Sequence, residues 1–328
     1  MTRLLDVRGL SVELPTLGGW VRPVNDVSLE IHAGELLGLV GESGSGKTML
    51  ALALMGLLPP GARVLGEARL EKSPQAGPKG SVRSLLDQTE ENWREVRGRA
   101  IAMVFQEPMT ALNPVMRIGA QVTEAIRVHE PTLNSNEVKR RMLESLERAA
   151  VPEPETRAGQ YPHQLSGGLR QRAMIAMALA GGPRLLIADE PTTALDVTVQ
   201  KQILDLLNRL RRELNLALLL ITHDLAVVAQ VADRVTVMYA GRVVEEGPAR
   251  EVLEGQARHP YTQGLLAASP RLKRGELTPI PGSVPQLTAL PPGCAFEPRC
   301  GLRQPQCSEA VPALRDAGPG HVARCIWV

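Results

Sequence analysis

Leu36-Leu37-Gly38-Leu39-Val40-Gly41-Glu42-Ser43-Gly44-Ser45-Gly46-Lys47-Thr48 is the stretch whose reading decides the fold. Its first five residues form an apolar run of strand length, and a helix-like run continues over residues 49–58. Between them, residues 41–48 fit the pattern G-x-x-x-x-G-K-[ST]. In that pattern glycines let the backbone close around an anion, and the N–H groups at a helix start point at it. The expected ligand is ATP, cradled by Gly41, Glu42, Ser43, Gly44, Ser45 and Gly46. Lys47 would reach the β- and γ-phosphates, and the Thr48 hydroxyl would coordinate Mg²⁺. A plain Gly/Ser-rich turn is the alternative, and the flanking strand and helix patterns argue against it.

Two stretches further along carry matching chemistry. Leu185-Leu186-Ile187-Ala188 is continuously apolar rather than alternating, as in a strand covered on both faces, and Asp189 and Glu190 follow at its carboxyl end. Parallel sheets bind ligands at that edge. Asp189 suits contact with Mg²⁺, while Glu190 suits orienting or deprotonating an attacking water. Residues 165–172, LSGGLRQR, precede a helical stretch over residues 169–180. They offer a second helix N-terminus with close backbone access for an anion.

This ordered set resembles the ATP-binding-cassette ATPases over about residues 6–251. Gln106 resembles their Q-loop, Ser166, Gly167 and Gly168, with Gln171, their signature, Ala194-Leu195-Asp196 their D-loop, and His223 their switch histidine. The resemblance implies an α/β fold with a P-loop NTPase (RecA-like) core, an antiparallel β subdomain and a helical signature subdomain at about residues 107–171. It implies catalytic roles for Glu190, His223 and Gln106, and Mg²⁺ held by Thr48, Gln106 and Asp189. Trp20 is the candidate for stacking on adenine, a solvent-exposed loop residue being the alternative. It further implies a head-to-tail dimer, with ATP between the P-loop of one subunit and the signature of the other.

The 328 residues, 44% hydrophobic, suffice for one large domain and a smaller one. A net charge of +2 and 2% aromatic content argue against a nucleic-acid binder driven by bulk electrostatics or base stacking. No window approaches the roughly 18 apolar residues that span a bilayer, and the first residues alternate like a strand rather than a signal peptide. Residues 3–40 read as antiparallel strands with Gly34 at the turn before the core strand. Residues 72–92 read as an irregular surface insertion. Residues 109–164 read as helix-rich, with Val138, Met142 and Leu146 on one face.

The tail narrows the resemblance. HPYTQGLLAASPRL at residues 259–272 and PIPGSVPQL at 279–287 resemble the C-terminal extension of dipeptide and oligopeptide importer ATPases, a branch that also handles nickel and glutathione. The expected division is a nucleotide-binding domain over residues 1–255 and a proline- and cysteine-containing domain over 256–328, folded as an appendage. All four cysteines, Cys294, Cys300, Cys307 and Cys325, lie in it, separated by five, six and seventeen residues. Two disulfides, a Cys₄ zinc site, an iron–sulfur cluster and unrelated thiols are the candidates. A reducing compartment disfavours disulfides, and the gaps are wide for zinc. The importer pattern C-x-F-x-x-R-C, here residues 294–300, points by resemblance to a [4Fe–4S] cluster.

The expected protein is therefore an ATPase subunit at the cytoplasmic face of a membrane. Its expected partners are a second, different ATPase subunit, two integral-membrane permeases and, indirectly, an extracytoplasmic binding protein. A soluble cassette protein acting on nucleic acid or ribosomes is the alternative.

Overall fold

The computed structural model describes residues 2–71, 82–270, 272 and 278–328. It divides into two compact units: Met1–His32, Leu36–Asp87 and Leu220–Val328 form one, and Ala33–Glu35 with Gln88–Leu219 the other.

In the first unit, strands Gly19–His32, Arg3–Thr16, Arg63–Glu71 and Val82–Ser84 lie side by side in that order as an antiparallel sheet. The alternating sequence of the first hairpin buries Leu5, Val7, Leu10, Val24, Val27 and Ile31, and Thr16 Oγ1 closes its turn on the Gly19 carbonyl at 2.7 Å. A second set runs Arg315–Gly318, His321–Ala323, Arg242–Pro248, Arg234–Tyr239, Leu36–Val40. Leu36–Val40 and Arg234–Tyr239 are parallel, and every residue of Leu36–Val40 is buried, as its unbroken apolar sequence demands. The Asp233 carboxylate accepts the Leu36 N–H at 2.8 Å and fixes the start of that strand.

Among the described residues, the proline-rich tail packs its large apolar side chains into the core of the preceding sheet. Tyr261 and Phe296 pack with Val40, Val237 and Tyr239, and His321–Ala323 pairs with Arg242–Pro248, so the tail borrows the core and edge of the preceding sheet. The prolines explain this, because they prevent the long elements that could bury a separate apolar face.

In the second unit, Ile101–Val104 runs parallel to Leu185–Asp189, and both strands are wholly buried. Helices Ile118–His129, Ser135–Arg148, Gly167–Leu179 and Val197–Leu214 accompany them. Ser135–Arg148 begins where the Asn134 side chain accepts the Glu137 N–H at 3.0 Å, and it buries Val138, Met142 and Leu146 at i, i+4 and i+8. The α/β P-loop architecture expected from the sequence is the one that forms.

Of the supposed irregular insertion, residues 72–81 lie outside the described residues. The remainder is more regular than expected: Val82–Ser84 is a strand, and Glu90–Val96 is a helix capped by Thr89 with Trp93 and Val96 buried. The Thr89-Glu90-Glu91 start was a legible helix signal, masked by the surrounding charge. Among the described residues no helix is long and apolar enough to cross a membrane.

Candidate functional site

The phosphate loop links strand Leu36–Val40 to helix Lys47–Leu54. Two of its glycines, Gly41 and Gly46, are required by contact as well as conformation. Gly46 has φ +101°, and a Cβ there would sit 2.0 Å from the Pro23 carbonyl oxygen; at Gly41 it would sit 2.2 Å from that of Met238. Lys47 is buried and donates to the carbonyls of Gly41 at 2.8 Å and Glu42 at 3.0 Å and to Ser45 Oγ at 3.2 Å. Ser43, Gly44 and Thr48 are exposed.

Glu42 is anchored from the tail. Its N–H donates to Tyr261 Oη at 2.8 Å, and its carboxylate accepts from Arg299 Nη1 at 2.7 Å and Nη2 at 3.1 Å. Tyr261 and Arg299 carried no role in the sequence reading. The signal was present in the Tyr of H-P-Y and the Arg of C-x-F-x-x-R-C, positions that cysteine ligation leaves unexplained.

His223 is exposed immediately after strand Ala217–Thr222, in the turn that Asp224 closes by accepting the Ala226 N–H at 2.9 Å. Trp20 stands at the start of strand Gly19–His32 rather than in a loop, and the Arg63 guanidinium lies 4.0 Å from its ring centre. One face of the exposed indole is thus already occupied by a cation–π contact.

In the second unit, Asp189 is buried at the end of its strand, and Glu190 follows with φ +45°, a left-handed conformation uncommon for a side chain of its size. The Glu190 carboxylate accepts from Thr193 Oγ1 at 2.8 Å and from Gln106 Nε2 at 3.3 Å. Gln106 and Glu190 are therefore brought together, and Thr193 is a second partner that the sequence reading missed. Its signal was its place three residues on, in the turn after the acidic pair.

Ser166 caps helix Gly167–Leu179, accepting the Leu169 N–H at 3.4 Å, and Asp196 caps Val197–Leu214, accepting from Thr198 N–H at 3.0 Å and Val199 N–H at 2.9 Å. Ser166, Gly167, Gly168, Ala194, Leu195 and Asp196 line one open pocket. Gly168 allows the approach, since a Cβ there would lie 2.8 Å from Val199 Cγ1. Gln171 does not belong with them. It is 2% exposed and points with Met174 and Ile175 into the interior, its Nε2 without a hydrogen-bond partner. Gln171 sits a full turn past the helix start, beyond the first-turn N–H groups that can face an anion, and shares its buried face with Met174 and Ile175 at i+3 and i+4.

Cys294, Cys300, Cys307 and Cys325 are free thiols that line one small void with His259, Phe296 and Trp327. The disulfide reading is thereby set aside. Cys294 N–H donates to the Cys307 carbonyl at 2.7 Å, tying the two halves of the set. Burial, with repulsion from neighbouring thiols, pushes Cys294, Cys300 and Cys325 up from their ordinary range. Among the described residues no group of three or more His, Cys, Asp or Glu forms a set that could hold a metal ion. Beside the void, burial lowers His259 to about 3, so its neutral Nδ1 accepts the Tyr261 N–H at 3.1 Å and caps helix Pro260–Ala268.

Comparison with known proteins accords with this geometry. The ABC transporter family model matches residues 24–193, just over half of the chain, and the model of the oligopeptide/dipeptide transporter C-terminal region matches 244–307. A relative from Brucella ovis named as a peptide import ATP-binding protein is 50% identical over 331 residues, covering 98% of this chain and 96% of its own. One of the same description from Brucella abortus is 46% identical, covering 98% and 94%. Among solved structures, the ATP-binding cassette MJ0796, a dimer in a post-hydrolysis state with ADP and Pi, superposes with a TM-score of 0.64 at 27% identity, covering 75% of this chain and 99% of that one. CbiO1 from Clostridium perfringens, part of the ABC transporter complex cbiONQ, gives a TM-score of 0.61 at 26% identity, covering 78% and 92%. With both models matched and near-complete alignment to these relatives, this chain belongs to the ABC transporter family and is an ATP-binding-cassette ATPase.

Proposed function

We propose that the chain powers a membrane importer for di- or oligopeptides, or a related small cargo, from the cytoplasmic face. The observation that carries the reading is the union in one polypeptide of a phosphate-loop cassette and the 244–307 tail, shared along nearly the full length of relatives named for peptide import. That union favours transport over the nucleic-acid alternative. The partners in this reading are a second, different cassette subunit, two integral-membrane permeases and an extracytoplasmic binding protein. Residues 1–255 act as the nucleotide-binding domain and 256–328 as its extension.

In the catalytic cycle, Gly41–Thr48 wraps the phosphates of ATP, with Lys47 of that loop as the cation that meets the phosphate oxygens. Thr48, Gln106 and Asp189 would hold Mg²⁺, which neutralises charge on the β- and γ-phosphates when bound. Glu190, oriented by Thr193 and Gln106, directs the attacking water, and His223 contacts the γ-phosphate. Ser166, Gly167 and Gly168 close on the nucleotide of the partner cassette, so ATP joins the subunits and hydrolysis separates them. Trp20 offers its uncovered face to adenine.

We read the four cysteines as ligands of a [4Fe–4S] cluster on their number and thiol chemistry. Two buried thiols, Cys307 and Cys325, and two half-buried ones, Cys294 and Cys300, line a single void, a soft donor set of the chemistry that holds iron–sulfur centres. The cluster's part is structural, holding a tail that has few elements of its own.

The deciding experiment is purification of the membrane complex and its reconstitution in vesicles. Permeases that copurify, with ATPase activity stimulated by a peptide-loaded binding protein, support the reading. Copurified nucleic acid or ribosomes, with no permease, would overturn it.

A further inference from the structure

We propose that Arg299 is a positioning residue for the phosphate loop, and that through its two-point clasp on Glu42 the cysteine-bearing tail sets how tightly this protein holds nucleotide. This rests on the nucleotide-binding reading of residues 41–48.

Glu42 is fixed at three places. Its carbonyl accepts from Lys47 Nζ at 3.0 Å, its N–H donates to Tyr261 Oη at 2.8 Å, and its carboxylate is held by both Nη atoms of Arg299 at 2.7 and 3.1 Å. Two of these anchors come from the tail. Arg299 is itself held firmly: its side chain is 5% exposed, Nε donates to the Pro281 carbonyl at 2.9 Å, and Nη1 donates to Tyr239 Oη at 3.3 Å. The rings of Tyr239 and Phe296 lie 5.8 and 5.9 Å from its guanidinium.

Charge and geometry point the same way. A carboxylate in a loop that must receive a polyphosphate repels its ligand, and a bidentate guanidinium both cancels that charge and fixes the peptide bearing it. The carbonyls of Glu42 and of the preceding Gly41 are those that accept from Lys47. Removing Arg299 leaves a part-buried carboxylate uncompensated beside the phosphate site and frees the loop to wander.

The cysteines control where Arg299 stands. It ends the turn Glu297–Arg299, closed by Glu297 N–H to the Cys294 carbonyl at 3.0 Å and Cys300 N–H to the Glu297 carbonyl at 3.1 Å. Whatever fixes Cys294 and Cys300 therefore fixes the clasp.

The test measures MgATP Kd by calorimetry and kcat at saturating ATP on the full-length protein. The variants are Arg299→Ala, Arg299→Lys, Glu42→Gln and the Arg299→Ala/Glu42→Gln pair, with Lys47→Ala as control. Arg299→Ala is expected to raise Kd about tenfold while kcat changes less than about threefold, Arg299→Lys to recover part of the loss, and the double variant to be no weaker than Arg299→Ala. A wild-type Kd in Arg299→Ala with unchanged circular dichroism and melting temperature overturns the proposal, as do strictly additive effects. Should Arg299→Ala fail to fold, wild-type Kd values in both Glu42→Gln and Arg299→Lys overturn it equally. If Lys47→Ala also binds ATP normally, it is the nucleotide assignment of the loop that fails, not the clasp.

Discussion

Gln106 donates its side-chain N–H to the Glu190 carboxylate across 3.3 Å, joining the loop after strand Ile101–Val104 to the end of strand Leu185–Asp189. The two residues are far apart in sequence and come from adjacent parallel strands. Any shift of the Gln106 loop is therefore felt at the carboxylate proposed to direct water.

Glu190→Gln keeps the shape of the side chain and its link to Thr193 but removes its charge and basicity. ATPase turnover should fall by about 10²-fold or more, the usual contribution of a positioned general base, with MgATP affinity retained. Steady-state turnover and equilibrium binding on the same preparation check this, and a wild-type rate removes Glu190 from the role. Size-exclusion chromatography with ATP should show this variant held as a dimer.

Gly46→Ala places a Cβ 2.0 Å from the Pro23 carbonyl oxygen at φ +101°. Backbone must move, at a cost of at least about 1–3 kcal/mol for the strained conformation alone. A lowered denaturant midpoint is expected even without nucleotide. Gly44→Ala offers a control that isolates conformation from clash, since φ there is +78° and nothing lies within 4 Å of the added carbon.

His259 makes stability depend on pH. Its pKa falls from the ordinary 6.5 to about 3 in the fold because of burial, so below pH 6.5 the unfolded chain binds a proton that the folded chain refuses. This contribution is whole above about pH 6.5 and is lost as pH falls toward 3, at up to about 1.4 kcal/mol per pH unit. Urea midpoints at pH 7.5 and 5.5 measure the slope. His259→Asn, which can still cap helix Pro260–Ala268 without titrating, should flatten it.

Anaerobically purified protein should absorb broadly in the visible and contain about four iron and four sulfide per chain. Cys294→Ser and Cys325→Ser should each lower the iron content and the melting temperature together. Stoichiometric zinc without iron would overturn the cluster assignment.

Local rules made much of this chain legible from sequence. The unbroken apolar run of Leu36–Val40 is a buried parallel strand, Asn134 with Glu137 opens a helix, and Val138, Met142 and Leu146 mark its buried face. The glycines, Lys47 and Thr48 of the phosphate loop are equally local, because one turn of backbone makes the anion cradle. Glu90–Val96 escaped notice because a short charged helix carries too little apolar periodicity to stand out.

Tertiary structure alone decided the rest. Gln171 had the right neighbours and the wrong side of its helix. Arg299 meets Glu42 across 257 residues of chain, and Tyr261 meets it across 219, where no periodicity or capping rule reaches. Sequence determines which backbone groups can bend, cap and cradle, since those forces act over a few bonds. Which side chain clasps the cradle depends on how strands and tail share one core, a choice made by packing among distant residues.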